Sequence, residues 1–361
     1  MSIASVDVRR FGGPLGAGAM NARRAWKERE GLLLVLRNED GEIGLGEASP
    51  LPGFSPDTIE GCEATLRDMP AGRIKERAEG ESIEAWLTAA ARLLDPNAPA
   101  ARFALETALL DLEGRRAGVS IASLLAGRDV KRTVPLAALL SGEEEGDVIE
   151  SARRALRRGI RTLKWKIGRA GRFDEELETV RALRREIGPE PALRLDGNGA
   201  WDLVEGEKKL AALAEFGLEF VEQPVVPYLL LKLGGSPVTV AADETLALPG
   251  AVERLNLVPA CRVLVVKPMV LGGFVPALRM MKIAKARRYG VVVSHLFDGP
   301  VALAAAAELA LGLPVEPLAC GLDRHAGLGA WPAARVPRIE EASIVPFGPP
   351  GHGIEPTEVL S

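Results

Sequence analysis

The first part of the chain alternates apolar and polar positions as strands do, and then changes to helical spacing. The segments SIASVDVRRF and GLLLVLRNEDGEIGLGEAS are typical of extended runs, and Asn38 to Gly41 supply a turn between two of them. Apolar residues recur at helical spacing in ESIEAWLTAAARLL and AARFALETALLDLEGRRAG, where Gly118 provides a C-terminal stop. This pattern predicts an α+β domain over residues 1–130.

From Val134 onward, short apolar runs alternate with amphipathic helical stretches, as in repeated βα units. The runs with the composition of buried strands are VPLAALL, TLKWKI, ALRLD, EFVEQ, VTVAAD, RVLVVK, GVVVS and VEPLA. Helical stretches separate them, although YLLLKLGG is short for a crossover helix. Eight such strands favour a closed ring over an open sheet. The predicted fold class is therefore α/β, a (β/α)8 TIM-type barrel over residues 131–325, with residues 326–361 packing back on the first domain and completing it.

Composition and charge leave a small-molecule substrate as the expected partner. The chain has 361 residues, 47% of them hydrophobic, and its net charge of −4 offers no basic surface for nucleic acid. Three scattered cysteines without a CxxC pair argue against a disulfide framework and a zinc site, and favour the cytoplasm. The N-terminus has no signal-like apolar region and no apolar run approaches ~18 residues, so neither secretion nor a membrane is expected. A homo-oligomer stays open.

Carboxylates stand where three successive strands end: Asp196, Glu222 and Asp243. They are roughly 20 to 30 residues apart, the length of one βα unit, so neighbouring strands would bring them to the same mouth of the barrel. Converging carboxylates repel one another unless a hard cation lies between them. Mg²⁺ is the natural ion and Mn²⁺ the alternative, since no Cys or His accompanies them. A competing interpretation is that each carboxylate caps the next helix.

Lysines stand at the ends of two further strands. Lys164 and Lys166 are two positions apart, so both point into the barrel while Trp165 points outward. Beside a metal and a substrate carboxylate, neighbouring cations and burial lower the pKa of an amine enough for it to act as a base. Lys267 ends the sixth strand, across the barrel, where it could stabilise charge or act from the opposite face. Lysines that extend to the rim are the alternative.

The motifs KWK, RLDGNGAWD, FVEQP, AADET and VLVVKP, in this order, resemble the barrel motifs of the enolase superfamily, muconate-lactonising-enzyme branch. The resemblance covers nearly the whole chain and identifies the first domain with that superfamily's capping domain. It implies Asp196, Glu222 and Asp243 as Mg²⁺ ligands. It also implies Lys166 and Lys267 as the acid/base pair, with Lys164 beside the substrate carboxylate.

Within that branch, GLGEASPLPGFSPDT is similar to the capping segment of o-succinylbenzoate synthases. This implies a Mg²⁺-dependent syn-dehydration of a succinyl-hydroxycyclohexadiene-carboxylate, through an ene-diolate, in menaquinone biosynthesis. Two capping loops, around Ala19 to Glu30 and around Ser49 to Ser55, are implied to cover the barrel mouth. Leu51 and Phe54 are the predicted apolar wall for a substrate that bears a ring, although the PLPGF segment could equally be a rigid turn packed on the barrel.

Polar residues near the strand ends complete the predicted substrate contacts, namely Asn198, Ser294 and His295. The segment SHLFDGP resembles that of mandelate racemase, whose histidine base lies there, but Lys267 stands where that racemase has an aspartate. We therefore expect His295 to be a polar substrate contact or a structural histidine, with Asp298 as an acid nearby.

Other activities stay open within the same resemblance. A racemase of N-succinyl or other N-acyl amino acids would use the same pair of lysines. A dipeptide epimerase is less favoured, because CGLDRHAG offers only Asp323 where those enzymes carry Asp-x-Asp. A binding barrel without catalysis is disfavoured by the retention of both lysines and all three carboxylates.

Overall fold

The N-terminal part of the fold is an antiparallel sheet of three strands covered by helices. The computed structural model describes residues 3–16, 19, 25–333, 335–348 and 350–360. The sheet has the order β1-β2-β3, and its second hairpin turns after Asn38, whose Oδ1 accepts hydrogen bonds from the backbone of Asp40 and Glu42. The elements of this part are β1 (Ile3–Pro14), β2 (Glu28–Asn38), β3 (Ile43–Ala48), α1 (Ile59–Arg67), α2 (Ile83–Ala91), α3 (Pro99–Ala117), α4 (Ile121–Ala126) and β4 (Val134–Pro135).

Helix α3 lies directly on the backbone of β3. A Cβ at Gly44 would be 2.1 Å from the carbonyl oxygen of Ala108, and one at Gly46 would be 1.9 Å from that of Ala104. Only glycine allows this approach. The helix ends at Gly118 with a φ of 67°, the left-handed stop that the sequence predicts.

A parallel sheet of seven strands follows, with its strands in chain order from β5 to β11. Helices separate the strands, and the one after β8 is a single turn, matching the weak prediction for YLLLKLGG. The elements are β5 (Ala137–Leu139), α5 (Glu145–Arg157), β6 (Thr162–Lys166), α6 (Phe173–Ile187), β7 (Ala192–Asp196), α7 (Leu203–Leu213), β8 (Phe220–Glu222), α8 (Pro227–Leu230), β9 (Val240–Ala242), α9 (Ala251–Leu255), β10 (Cys261–Val266), α10 (Pro268–Leu271), α11 (Phe274–Arg287), β11 (Gly290–Val293) and α12 (Pro300–Gly312).

The eighth predicted strand, VEPLA, is not a strand in the described structure. Pro317 has no N–H to donate, so the backbone pairing of this segment begins only at Leu318, whose N–H donates to the carbonyl of Val291 at 2.8 Å. The chain instead makes single parallel bridges just afterwards, from Cys320 to Leu136 and from Gly321 to Ser294. From inside the sheet, Arg194 donates to the carbonyl of Ala319 at 2.6 Å. The same short segment therefore contacts the chain beside both edge strands.

Helix α12 and the C-terminal residues join the two parts. All thirteen residues of α12 are buried, and the helix packs on α3, α4, β3 and β11. The later elements are β12 (Ile339–Glu340), β13 (Ser343–Ile344) and α13 (Pro356–Leu360), and β13 pairs with β4. Ile354 packs with Leu45 of β3 and Val301 of α12 in one apolar cluster. Among the described residues, no helix has both the length and the apolarity that a membrane span requires.

Buried glutamates from one part of the fold cap helices of the other. Glu47 accepts hydrogen bonds from Gly299 and Ala302 at the start of α12, at 2.7 and 3.0 Å. Glu106 accepts from Val275 at the start of α11, at 3.0 Å, and Glu308 accepts in the same way at the start of α4. A carboxylate is favourable at a helix N-terminus. Burial nevertheless raises the pKa of Glu106 to about 8 and those of the other two to about 7.

We predict that Glu106→Gln reduces the loss of folding stability that the protein undergoes as pH rises. Because the folded state raises the pKa of Glu106 above its unfolded value, ionisation costs folding free energy as pH rises towards about 8. One such group contributes a slope of at most about 1.4 kcal/mol per pH unit. Between pH 6 and 9, the Tm of the variant should therefore fall less steeply than the Tm of the wild type. Glu253→Gln, at an exposed position, should keep the wild-type slope, and equal slopes in all three proteins would contradict the prediction.

Candidate active site

Charged residues meet at the carboxyl ends of β6 to β10. Lys166 is opposite Asp196 across β6 and β7, and Asp196 is opposite Glu222 across β7 and β8. Asp243 directly follows β9, and Lys267 directly follows β10. Parallel pairing in this register brings one charged residue from each strand to the same level of the sheet.

Lys164 lies between two of the carboxylates. Its Nζ is 2.8 Å from Asp196 Oδ2 and 2.7 Å from Glu222 Oε1. Burial opposes the charged forms, but the attraction outweighs it, so the pKa of Lys164 is raised above its usual range and the pKa of Asp196 is lowered. Burial and then repulsion from Asp196 raise the pKa of Glu222 to about 7. The ammonium of Lys164 thus holds the two acids together.

Lys267 is held by the third carboxylate. Its Nζ contacts Asp243 Oδ2, and although burial opposes its charge, this carboxylate and its neighbours raise the pKa of Lys267. Burial raises the pKa of Asp243 to about 6. The ammonium also lies over the ring of Phe54, with the ring centre 4.6 Å from Nζ. Lys267 is therefore a protonated group at neutral pH.

Lys166 differs from the other two lysines. Burial lowers its pKa to about 8, with Asp196 opposing the shift and the ammonium groups of Lys164 and Lys267 adding to it. The centre of the Phe297 ring is 5.8 Å from its Nζ. An amine with this pKa is partly neutral near pH 7, and a neutral amine can accept a proton. Lys166 is thus the lysine with the properties of a general base.

The donor set of the cluster fits a divalent cation bound by oxygen. Beside the three predicted ligands, Glu244 brings a fourth carboxylate to the cluster, close enough to Lys267 to raise the pKa of that lysine. The Oε2 of Glu244 and the Oδ1 of Asn198 are buried and have no hydrogen-bond partner among the described residues. Within those same ranges, no three acidic, His or Cys side chains converge closely enough to form a metal site as they stand. Lys164 lies between two of the acids, so a cation would have to displace its ammonium.

A pocket of about 830 Å³, its open mouth included, adjoins the cluster. The predicted site residues that line it are Lys164, Lys166, Asp196, Asn198, Glu222, Lys267, Ser294, His295, Leu51 and Phe54. Asp243 contacts Lys267 but is not part of the lining. Much of the remaining wall is apolar and includes Trp26, Leu139 and Phe297. The loop predicted around Ala19 to Glu30 lies partly outside the described residues, and Trp26 is the residue of that loop on the pocket wall.

Both ring nitrogens of His295 are engaged with the backbone. The N–H of Asp298 donates to Nδ1 at 3.2 Å, so the ring proton lies on Nε2, which donates to the carbonyl of Asp323 at 3.2 Å. Burial lowers the pKa of His295 to about 4. The ring is neutral, and neither nitrogen offers a lone pair to a substrate. This geometry is that of the structural histidine rather than of a base.

The other polar candidates also bond to the protein. Ser294 Oγ donates to the carbonyl of Gly321 at 3.2 Å, and Asn198 Nδ2 donates to Glu244 Oε1 at 3.3 Å. Asp298 does not line the pocket, and its carboxylate lies 3.4 Å from the guanidinium of Arg29. These contacts position the pocket wall, and Asp298 is a partner of Arg29 rather than an acid within the pocket.

Two residues of the site have no counterpart in the sequence prediction. Gln223 is buried and accepts hydrogen bonds from the backbone of Asp243 and Thr245, both at 3.1 Å, so it sets the position of the third carboxylate. Its place after Glu222 in FVEQP is the signal that could have found it. Phe297 has a φ of 56°, a conformation that costs a bulky residue about 1–3 kcal/mol. Its sequence position gives no sign of this backbone geometry.

Known proteins resemble the chain over almost its whole length. An L-Lys-D/L-Arg epimerase of Methylococcus capsulatus is 31% identical over 320 residues, which cover 87% of this chain and 88% of that protein. An o-succinylbenzoate synthase of Desulfotalea psychrophila is 30% identical over 334 residues, covering 84% and 88%. The crystal structure of the dipeptide epimerase from M. capsulatus, complexed with Mg and the dipeptide L-Arg-D-Lys, has a TM-score of 0.81 and 29% identity, and the match covers 98% and 99% of the two chains.

Family models account for both parts of the fold. The model described as MenC, N-terminal domain, matches residues 3–112. The model described as Enolase C-terminal domain-like matches residues 147–360, which hold every charged residue of the cluster. Because this second match spans more than half of the chain, the protein belongs to the enolase superfamily.

Proposed function

We propose that this protein is an o-succinylbenzoate synthase, a lyase that removes water from a succinyl-hydroxycyclohexadiene-carboxylate in menaquinone biosynthesis. The relative from D. psychrophila that carries this name is 30% identical. The MenC model covers residues 3–112 and so includes Leu51 and Phe54, which form part of the pocket wall. An apolar wall of this kind suits a substrate that bears a ring.

The ion pair of Asp323 is the observation that favours a synthase over a dipeptide epimerase. Both of its carboxylate oxygens accept hydrogen bonds from Arg158, at 2.7 and 2.9 Å. A dipeptide has a free ammonium group, which needs an acid that is not already neutralised. The acids deeper in the pocket, Asp196 and Glu222, are bound to Lys164. The pocket therefore favours an anionic substrate without an ammonium group.

In the proposed reaction Lys166 removes the proton next to the substrate carboxylate. The C–H electrons form the double bond of an ene-diolate, and the C–O bond to the hydroxyl group then breaks. The ammonium of Lys166 returns its proton to the departing hydroxide, which leaves as water. Because the same lysine acts in both steps, the proton and the hydroxyl group leave from the same face of the ring, and the elimination is syn. Lys267, protonated beside Asp243, stabilises the negative charge. Asp196, Glu222 and Asp243 would hold Mg²⁺, which supplies positive charge to the carboxylate oxygens.

A racemase of N-succinyl or other N-acyl amino acids is the second candidate. Lys166 and Lys267 line the same pocket from strands near opposite edges of the sheet, so one could remove a proton and the other return it. A dipeptide epimerase, the activity of the 31% identical relative, is the third. A barrel that only binds would leave the lowered pKa of Lys166 without a use.

A closed barrel of eight strands is part of the same proposal. We infer that residues 318–321 close the ring between β5 and β11 through their single bridges. With it we infer a capping domain of residues 1–130, a barrel of residues 131–325 and a segment of residues 326–361 that completes the cap. A cytoplasmic location, Mn²⁺ as an alternative ion and a homo-oligomer stay predictions.

We predict that the protein with Mg²⁺ converts the cyclohexadiene substrate to o-succinylbenzoate, and that Lys166→Ala lowers kcat/KM by roughly a hundredfold to ten-thousandfold. The formation of the aromatic product can be measured by the change in absorbance. Lys209→Ala removes a lysine of α7 whose ammonium lies over the rings of Phe173 and Trp201, and this variant should retain activity. Absence of turnover by the wild type, or equal loss in both variants, would reject the assignment. In D₂O, exchange of the α-hydrogen of N-succinyl amino acids without dehydration would favour the racemase.

The pH profile should report the ionisation of Lys166. The base must be neutral, so kcat/KM should rise about tenfold per pH unit below pH 8 and level off above it. Bound Mg²⁺ would shift the bend, the pH at which kcat/KM levels off, to a lower value, because a nearby cation lowers the pKa of an amine. His295→Gln should leave the bend in place, since that ring is neutral throughout. A rate that falls as pH rises from 6 to 8 would contradict the role of Lys166.

Mg²⁺ should stabilise the folded protein through the carboxylate cluster. A cation at a hundred times its Kd adds about 2.7 kcal/mol, and Asp196→Asn should abolish most of the resulting rise in Tm. Asp202→Asn is the matched control, because this aspartate lies in the loop that follows Asp196 but caps α7. It should keep the rise. An equal effect of Mg²⁺ on both variants would place the ion elsewhere.

A further inference from the structure

Arg29, on β2, connects two loops that carry the pocket wall. Its side chain is 1% exposed and donates to the carbonyls of Ser49 and Pro50, the latter at 2.7 Å. It also donates to the carbonyls of Leu296 and Phe297, both at 3.2 Å. One guanidinium therefore joins the loop after β3 to the loop after β11.

The carboxylate of Asp298 accompanies these bonds. It lies 3.4 Å from the guanidinium and accepts from the N–H of Leu296 at 3.2 Å. Arg29 and Asp298 are both absent from the pocket lining. Four carbonyls and one carboxylate are bound by a group that does not reach the substrate, so its influence on the site must pass through the two loops.

The two loops hold one aromatic ring over each of two lysines. Phe54, in the first loop, lies over Lys267, and Phe297, in the second, lies over Lys166, with ring centres 4.6 and 5.8 Å from the Nζ atoms. Both phenylalanines pack against the apolar cluster that contains Leu51 and Leu296. The two rings form part of the apolar wall of the pocket beside these lysines.

The backbone of Phe297 is held in an unfavourable conformation. Its φ of 56° lies in the left-handed region, which a large side chain avoids. Such a backbone persists only where surrounding contacts over-determine it. Before this strained residue, the carbonyl of Leu296 accepts from Arg29. The peptide group after it is held at both ends, because the carbonyl of Phe297 accepts from Arg29 and the N–H of Asp298 donates to His295.

We propose that Arg29 is a positioning residue of the active site, which ties the loop at residues 49–55 to the loop at residues 294–299 and so holds Phe54 and Phe297 over Lys267 and Lys166. The apolar group of the substrate packs between these rings. The kinetic part of this inference rests on the proposed function, whereas the structural part does not.

Hydrogen exchange, read by mass spectrometry, tests the structural part without any assumed activity. In Arg29→Gln, peptides covering both loops should exchange about tenfold faster, while peptides from β6 and β7 stay unchanged. Arg29→Lys should give a partial effect, because an ammonium cannot span both loops. The matched control is Arg132→Gln, which removes an arginine that binds the carbonyls of Ala310, Leu313 and Val315, away from the pocket. Faster exchange in one loop only, or equally in the control, overturns the proposal.

Kinetics with the cyclohexadiene substrate give the second readout. Arg29→Gln should raise KM about tenfold and lower kcat, with partial recovery in Arg29→Lys and no change in Arg132→Gln. If the wild type does not dehydrate this substrate, the proposed function fails, and the exchange result alone decides on Arg29.

A pair of variants at Phe297 keeps the inference testable if Arg29→Gln does not fold. Phe297→Gly removes the ring and relieves the strained backbone, whereas Phe297→Ala removes the ring and keeps the strain. The glycine variant should have the higher Tm of the two, and both should show the same rise in KM. Equal Tm values, or a KM unchanged from the wild type, would contradict the role assigned to this loop.

Discussion

Charge of both signs, buried at one end of a parallel sheet, is the constraint on which this site depends. A carboxylate or an ammonium taken out of water loses hydration worth several kcal/mol, so such groups persist only as partners. Lys164 compensates Asp196 and Glu222, and Lys267 compensates Asp243. The same balance makes the lysines chemically different: attraction keeps two of them protonated, whereas burial dominates at Lys166.

The walls of the pocket are fixed to this charged centre by polar contacts across the junction of the two parts. Glu47 caps α12, Glu106 caps α11, and Arg29 binds the loops on both sides. Each contact joins a buried side chain to backbone groups that would otherwise have no partner, which makes it costly to break. The pocket wall and the strand ends beneath it are therefore joined by contacts that are costly to break.

The sequence predicts the parts of this arrangement that follow from periodicity. Parallel strands of similar length place their last residues at one level, so the positions of Lys166, Asp196 and Glu222 could be inferred from spacing alone. The late start of pairing in the eighth segment could have been foreseen from Pro317, because a proline cannot donate to a ladder. Other features depend on contacts between distant segments. The bonds that fix the tautomer of His295 come from Asp298 and Asp323, and the carbonyl of the strained Phe297 is bound by Arg29, which is 268 positions earlier.

Helix α12 has a consequence for how a substrate reaches the lysines. Its thirteen residues are buried between the N-terminal helices, β3 and β11, and swinging the cap away as one body would expose much of that apolar surface to water at roughly 25 cal/mol per Å². Hinge opening of whole domains is therefore too costly to serve as an entrance. The open mouth of the pocket, bordered by short loops, is therefore the way in and out, and the side chains on those loops limit which molecules can pass.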